Sequence, residues 1–259
     1  NREYLSDGIT ESLIDSLSQS PNLEVKSRDA AFRYKGKDTD SQTIGRELGV
    51  RAIFKGRVTQ QGDNLAISAE LIDTQNDTQL WSETNYISKA SNILTLQGEL
   101  AREMTMALRL HLTGEEERSL VKSHTASPEA YQDYLQGRFW FNKSTEEGFR
   151  KGIAYFQQAI EKDPAYALAY AGLATSHSSL VRFVVLAPKE GLSIAREAAL
   201  KALELDDTLS EAHALLGWIK AVYDWDWSGA EREFQRADTL NSNDASAKII
   251  YGNSLLVMG

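Results

Sequence analysis

Asp7 and Glu11 stand four residues apart, so in a helix they share one face. Paired carboxylates on one face can divide acid and base work between them. The plainer reading is a capping Asp at the start of a helix, followed by a Glu that complements its positive end. The plainer reading is preferred, because Ile9, Leu13, Ile14 and Leu17 follow at helical spacing. The four histidines, His111, His124, His177 and His213, are scattered, and no two have the spacing of helical metal ligands. The chain has no cysteine, which excludes disulfides, thiolate metal sites and a cysteine nucleophile. The glycines of Gly45-Arg46-Glu47-Leu48-Gly49 lack the spacing of a phosphate-binding loop and read as a helix with its stop. Asp224-Trp225-Asp226-Trp227 reads as a turn between two helices, with one Trp packed inside. On these grounds no metal, no cofactor and no catalytic residue is expected, and the chain is not expected to be an enzyme.

Charge narrows the classes of partner. The 259 residues hold 28 Lys and Arg against 37 Asp and Glu, a net charge of -9. A general nucleic-acid binder needs the opposite field, so no nucleic-acid partner is expected. Residues 26–57 are the local exception. Lys26, Arg28, Arg33, Lys35, Lys37, Arg46, Arg51, Lys55 and Arg57 outnumber Asp29, Asp38, Asp40 and Glu47 there. This excess is either a solvated face, the favoured reading, or a dock for an acidic partner. No run of about 18 apolar residues is present, so no membrane span is expected.

Residues 1–112 read as an α+β domain, a small mixed sheet with helices. After the first helix, residues 23–26 form a short strand candidate. A second helix runs over 41–48, with Asp40 as cap and Gly49 as stop. Three strands follow over 51–60, 64–73 and 79–87. Apolar residues alternate in the first two, the third carries Trp81 and Ile87 on one face and Leu80 and Tyr86 on the other, and turns lie at 61–63 and 75–77. A longer helix covers 92–111, lined by Ile93, Leu96, Leu100, Met104 and Leu108. Residues 113–128 read as a linker. From 129 to 259 everything reads as paired helices, an all-α solenoid.

The second part repeats itself. Tyr155-Phe156-Gln157-Gln158-Ala159, Ala198-Ala199-Leu200-Lys201-Ala202 and Glu233-Phe234-Gln235-Arg236-Ala237 align, and each precedes a turn. Upstream of them, Gly137 and Trp140, then Tyr170, Leu173, Ala174 and His177, then His213, Leu216, Gly217 and Lys220 also align. Lys248, Tyr251, Gly252 and Leu255 begin a fourth copy. Small insertions interrupt the register: about three residues at 144–146, about nine between His177 and Ala195, and one near Asp226. The pattern resembles tetratricopeptide repeats, three of them plus the first helix of a fourth.

Three strings in the first part carry a second resemblance. Glu3-Tyr4-Leu5-Ser6-Asp7-Gly8-Ile9-Thr10-Glu11, Ile44-Gly45-Arg46-Glu47-Leu48-Gly49-Val50-Arg51 and Leu80-Trp81-Ser82-Glu83 are similar to the domain related to the N-terminal part of TolB. That domain precedes tetratricopeptide repeats in large bacterial signalling proteins. Their upstream domains are adenylate cyclases, serine/threonine kinases or winged-helix regulators similar to CadC. The resemblance implies a regulatory or sensory region that binds a protein or peptide on the repeat surface. It also implies a bacterial cytoplasmic location, or a periplasmic one where a membrane helix lies upstream. The alternatives are a structural oligomerisation unit and an enzyme with an unrecognised site in the α+β part. In the repeat register the inner surface would present Tyr134, Arg138, Phe141, Thr175, Ser178, Glu211, Leu215, Trp218 and Asn253 as exposed partner-binding positions. Self-association through the last helix or through an open sheet edge is a further expectation.

Overall fold

The computed structural model describes residues 3–20, 22–61, 64–89, 92–108 and 124–258. The chain divides into two compact units, Asn1–Ser123 and His124–Gly259. The first is mixed α and β. The second is helical. Residues 113–123 of the expected linker, and His111, lie outside the described residues.

In the first unit α1 spans Glu3–Ser18 and buries Leu5, Ile9, Leu13 and Leu17, one residue per turn. It starts a turn earlier than its apolar pattern suggested. Asp7 therefore lies inside the helix, buried, and is not its cap. Residues 23–26, expected as a strand, join no ladder. A short helix follows instead, α2 (Arg28–Phe32), with the Ser27 side chain accepting from the Ala30 amide. The next helix, α3 (Ser41–Leu48), ends as its residues dictate. The Asp40 carboxylate accepts from the Thr43 amide at 2.8 Å, and Gly49 takes the left-handed conformation at φ 65°.

Strands β1 (Ala52–Gln61), β2 (Asn64–Asp73) and β3 (Thr78–Lys89) form a sheet in the order β1-β2-β3. Both pairings are antiparallel, so among the described residues the sheet is not mixed. Phe54 faces Leu71 across the first pair and Leu71 faces Trp81 across the second. β2 buries Leu65, Ile67, Ala69 and Leu71 at alternate positions, the signature of a sheet with one covered face. The β2–β3 turn is held by Asp73, whose Oδ1 accepts from the amides of Gln75 at 2.8 Å and Asn76 at 3.3 Å. The last described helix of the unit, α4 (Ile93–Ala107), packs on α1 and β3 through Ile93, Leu96, Leu100 and Met104.

The second unit is a run of helices, each packed on the next: α5 (Pro128–Phe141), α6 (Glu146–Lys162), α7 (Ala167–Arg182), α8 (Pro188–Leu205), α9 (Ser210–Ile219), α10 (Trp227–Leu240) and α11 (Ala245–Met258). Three helices end alike. After α6, α8 and α10 the residues Asp163, Asp206 and Asn241 are extended. Their Oδ1 atoms accept from Ala165 at 3.0 Å, Thr208 at 3.1 Å and Asn243 at 3.0 Å. Each is the same local turn, closed by a side chain that mimics a backbone carbonyl. Ala159, Ala202 and Ala237, at equivalent places, are all buried.

Close helix contact explains the glycines. A Cβ on Gly137 would sit 2.5 Å from the Phe156 ring, and one on Gly172 would sit 2.6 Å from the same ring. Phe156 thus fills the space that two small residues leave. The inserted residues are accommodated locally. The longer insertion lies where α7 and α8 meet, and these helices have 16 and 18 residues. The single insertion coincides with a π-helical turn, Lys220–Asp224, at the end of α9. A π turn is the standard way for a helix to absorb one extra residue.

Candidate functional site

Four of the nine predicted surface residues converge on one polar bridge. Arg138 lies on α5, Thr175 on α7 and Glu211 on α9, three alternate helices of the run. Arg138 Nη1 stands 3.5 Å from Glu211 Oε2, and also 3.5 Å from the Tyr134 hydroxyl, one turn away on α5. The Thr175 hydroxyl shares its proton between Ala171 O at 2.9 Å and Glu211 Oε1 at 3.2 Å. The Arg138 and Glu211 side chains keep 14% and 23% of their exposure, so the pair is partly screened from water. Loss of hydration offsets much of the attraction in such a pair, so its net contribution to stability is small.

The exposure expected for the nine needs correction. Tyr134, Ser178 and Leu215 are buried. Tyr134 packs its ring against Phe156 and Tyr166, at 5.9 Å and 5.2 Å between centroids. Leu215 belongs to a core with Ala174, Leu192 and Ile219. Alternate helices touch one another along the inner side, so part of that face is core. Phe141, Thr175, Trp218 and Asn253 are half-buried. Phe141 leans on Phe149, 5.5 Å between centroids, and Trp218 bridges two apolar clusters.

Other polar groups were invisible in the sequence, because their partners are distant along the chain. Glu233 on α10 accepts from both neighbours, His213 Nδ1 at 2.8 Å and Lys220 Nζ at 2.5 Å. The His213 bond first, then Lys220, lowers its pKa to about 2. His213 Nε2 lies 3.3 Å from Asp207 O. Burial lowers the pKa of His177. Buried Asp133 pairs with Lys162 at 2.5 Å. Ser210 bonds Asp244 across two helices. Among the described residues no three acidic or histidine side chains gather as a metal site.

Three carboxylates of α1 are held in ion pairs. Lys35 Nζ lies 2.5 Å from Asp7 and 2.6 Å from Glu3, and Arg28 Nε lies 3.7 Å from Glu11. Burial opposes the Lys35 charge, but the hydrogen bonds it donates to Asp7 and Glu3 outweigh that and raise its pKa. Arg28 also stacks on Phe32, 4.0 Å from the ring centre. Five charged side chains, two cations and three carboxylates, therefore tie the α2 segment to α1. In the Asp-Trp-Asp-Trp turn, Asp226 caps α10 through the Gly229 amide at 2.9 Å, Trp227 packs inward and Trp225 stays 67% exposed. Asp224 holds Arg196 of α8 with both oxygens at 2.7 Å.

No family model matches the chain. It is 31% identical over 229 residues, 85% of its length, to a protein described as "Putative adenylate cyclase 3" from Rhizobium meliloti (strain 1021), and it spans 38% of that protein. It is 26% identical over 126 residues to "Transcriptional regulator HilA" from Salmonella typhimurium and from Salmonella typhi, a match to 49% of the chain and 23% of the regulator. These relatives are bacterial, and the chain covers well under half of each. The cyclase match corrects one expectation. A likeness over 85% of the chain to a protein named for a catalytic activity weighs against a flat exclusion of enzymatic function. Among the described residues no helix is long and apolar enough to cross a membrane.

Proposed function

We propose that residues 124–258 are a stack of tetratricopeptide repeats whose inner helices, α5, α7, α9 and α11, bind a protein or peptide partner. The whole chain then serves as a regulatory region within a longer bacterial signalling protein. The observation that carries this reading is the repetition of the helix endings after α6, α8 and α10, closed by Asp163, Asp206 and Asn241. It supports a repeat built on one template. The Arg138–Glu211–Thr175 bridge supports a fixed inner surface. Phe141 and Trp218 are its half-buried aromatic residues, of the kind that anchors partners. The net charge of -9 favours a protein over a nucleic acid. The test is selection of binding peptides on the intact chain, followed by Phe141→Ala and Trp218→Ala. Each substitution is expected to weaken the selected peptide about tenfold or more while helix content is kept. Unchanged affinity in both would overturn the reading.

The match to a protein named as an adenylate cyclase favours a second reading, in which the chain belongs to a nucleotide-cyclising enzyme. Cyclic AMP formed from ATP by the purified chain would place the reaction within it. Formation only by the longer protein would leave the chain its regulatory role.

A further inference from the structure

The turns of the helical unit fall into two sets. Consecutive helices are joined by short turns of at most five residues, so neighbours run antiparallel. The turns after α5, α7 and α9 therefore lie along one edge, and those after α6, α8 and α10 along the opposite edge. Contacts join the first set from repeat to repeat. The Phe183 ring meets Phe149 of α6 edge-on at 5.1 Å, and Asp224 holds Arg196 of α8. Ser144, Val184 and Trp225, one in each turn of this set, hold left-handed backbone at φ 52°, 60° and 57°. That conformation is unfavourable for a branched or bulky residue, and Gly would hold it more cheaply. Yet two of the three are large and apolar, and both project into solvent. Val184 is 90% exposed and Trp225 67%, beside Phe183 at 54% and Tyr223 at 38%. Neither the turn backbone nor the core accounts for these side chains.

Charge separates the two edges. The turns after α6, α8 and α10, each taken with the last two helical residues (161–166, 204–209 and 239–244), hold six carboxylates against one Lys. The turns after α5, α7 and the π turn of α9, taken in the same way (140–145, 181–187 and 223–226), hold two carboxylates and two cations. Of these carboxylates, Asp224 is matched by Arg196 and Asp226 caps α10. The two cations, Lys143 and Arg182, have no carboxylate partner among the described residues. The first turns of α6 and α8 add no net charge. Glu146 and Glu147 pair with Arg150 and Lys151, and Lys189 offsets Glu190. The first edge is thus apolar with two unmatched cations, and the opposite edge is acidic.

We infer that the first edge rests on a lipid bilayer with anionic headgroups, Phe183, Val184 and Trp225 entering its interface while Lys143 and Arg182 meet lipid phosphates. Three observations favour lipid over a protein partner. The apolar side chains stand on separate turns beside the Arg196–Asp224 pair, which is itself exposed. A dry protein contact across both turns would bury that pair and the unmatched cations, at a large cost in lost hydration. The headgroup layer is polar and wet, and takes apolar tips and charges side by side. Trp and Tyr, apolar rings with one polar atom, settle in that layer. Lastly, when this edge meets a negative surface the six carboxylates of the opposite edge point away from it. Peptide binding by the inner helix faces is a separate property of the unit.

The experiment follows co-sedimentation of the intact chain with vesicles of equal parts phosphatidylglycerol and phosphatidylcholine, against vesicles of phosphatidylcholine alone. The chain is expected to bind the first, less as salt rises, and to bind the second at least about tenfold more weakly. Brominated acyl chains should quench part of the tryptophan emission, and Trp225→Gly should remove the quenched part. Val184→Gly together with Trp225→Gly should weaken vesicle binding about tenfold or more. Gly takes the left-handed backbone freely, so helix content should persist in that variant. Lys143→Glu with Arg182→Glu should weaken binding through charge, leaving both apolar tips in place. Trp218→Ala should leave vesicle binding unchanged, which separates the inference from the function proposed for the inner helices. Absence of binding, equal binding to the two kinds of vesicle, or unchanged binding in the double Gly variant would each overturn it. A soluble protein or a second copy held at this edge in place of vesicles would do so too.

Discussion

Tyr166 is the largest fully enclosed side chain of the helical unit, and its hydroxyl has no hydrogen-bond partner among the described residues. Burial raises its pKa far above the ordinary tyrosine value, with the phenols of Tyr134 and Tyr131 adding to the effect. A buried donor left unpaired costs about 1–3 kcal/mol. Tyr166→Phe removes that cost and keeps the ring packed on Tyr134. Urea denaturation should therefore show equal or higher stability, and a loss above about 1 kcal/mol would reveal a partner for the hydroxyl. Glu233 makes the opposite case. Its ordinary pKa of 4.5 is lowered to about 2 by His213 and Lys220. A depressed carboxylate contributes stability that is present above the unfolded pKa and lost as pH falls toward the folded one. Discounted for partial exposure, the contribution is on the order of 1–2 kcal/mol. Glu233→Gln should be less stable than the parent at neutral pH. The gap should close between about pH 4.5 and pH 2, measured as the difference in urea midpoints. A gap that does not change with pH would show that the three groups are not coupled.

Elements whose cause is local were legible in the sequence. α3 carried its own cap and stop in Asp40 and Gly49, and β1 and β2 showed their alternation. The aligned alanines 159, 202 and 237 announced the helix pairs, and each is buried. What failed depends on distant partners. Residues 23–26 have the composition of a strand but no described strand beside them. α2 is held by Arg28 and Lys35 against carboxylates about one helix away, which no periodic pattern records. Arg138 read as an exposed cation because Glu211, its partner, lies on another helix pair. Ala195 tests the packing of one such pair. It is fully buried in the core that joins α7, α8 and α9. Ala195→Trp should cost on the order of 1–3 kcal/mol or more, because a packed interior has no room for an indole. Trp at Arg236, on the outer side of α10, should cost much less. Equal shifts in thermal midpoint for the two would contradict this assignment of inner and outer faces.

At the scale of the whole chain the two units differ in how they close their apolar surfaces. The sheet of the first is covered on one face by α1 and α4, which pack together. The second buries each helix against the next. Its last helix, α11, has earlier helices on one side: Ala247 is buried, Tyr251 packs on Phe234 at 4.5 Å, and its hydroxyl reaches Glu231 at 3.1 Å. The other side shows Ile249 at 58%, Leu255 at 47% and Leu256 at 84% exposure. Ile249 and Leu256, two turns apart, share one exposed helix face, and exposed apolar side chains favour association with a like surface. At about 25 cal/mol per Å2 of apolar area, hiding them is enough to draw two chains together only at high concentration. The chain is therefore expected to show weak, concentration-dependent self-association by light scattering, reversed on dilution. Leu256→Glu together with Ile249→Lys should abolish it while helix content and the Tyr251–Phe234 contact persist. Scattering that is the same for parent and double variant across the dilution series would mean that α11 is not the surface involved.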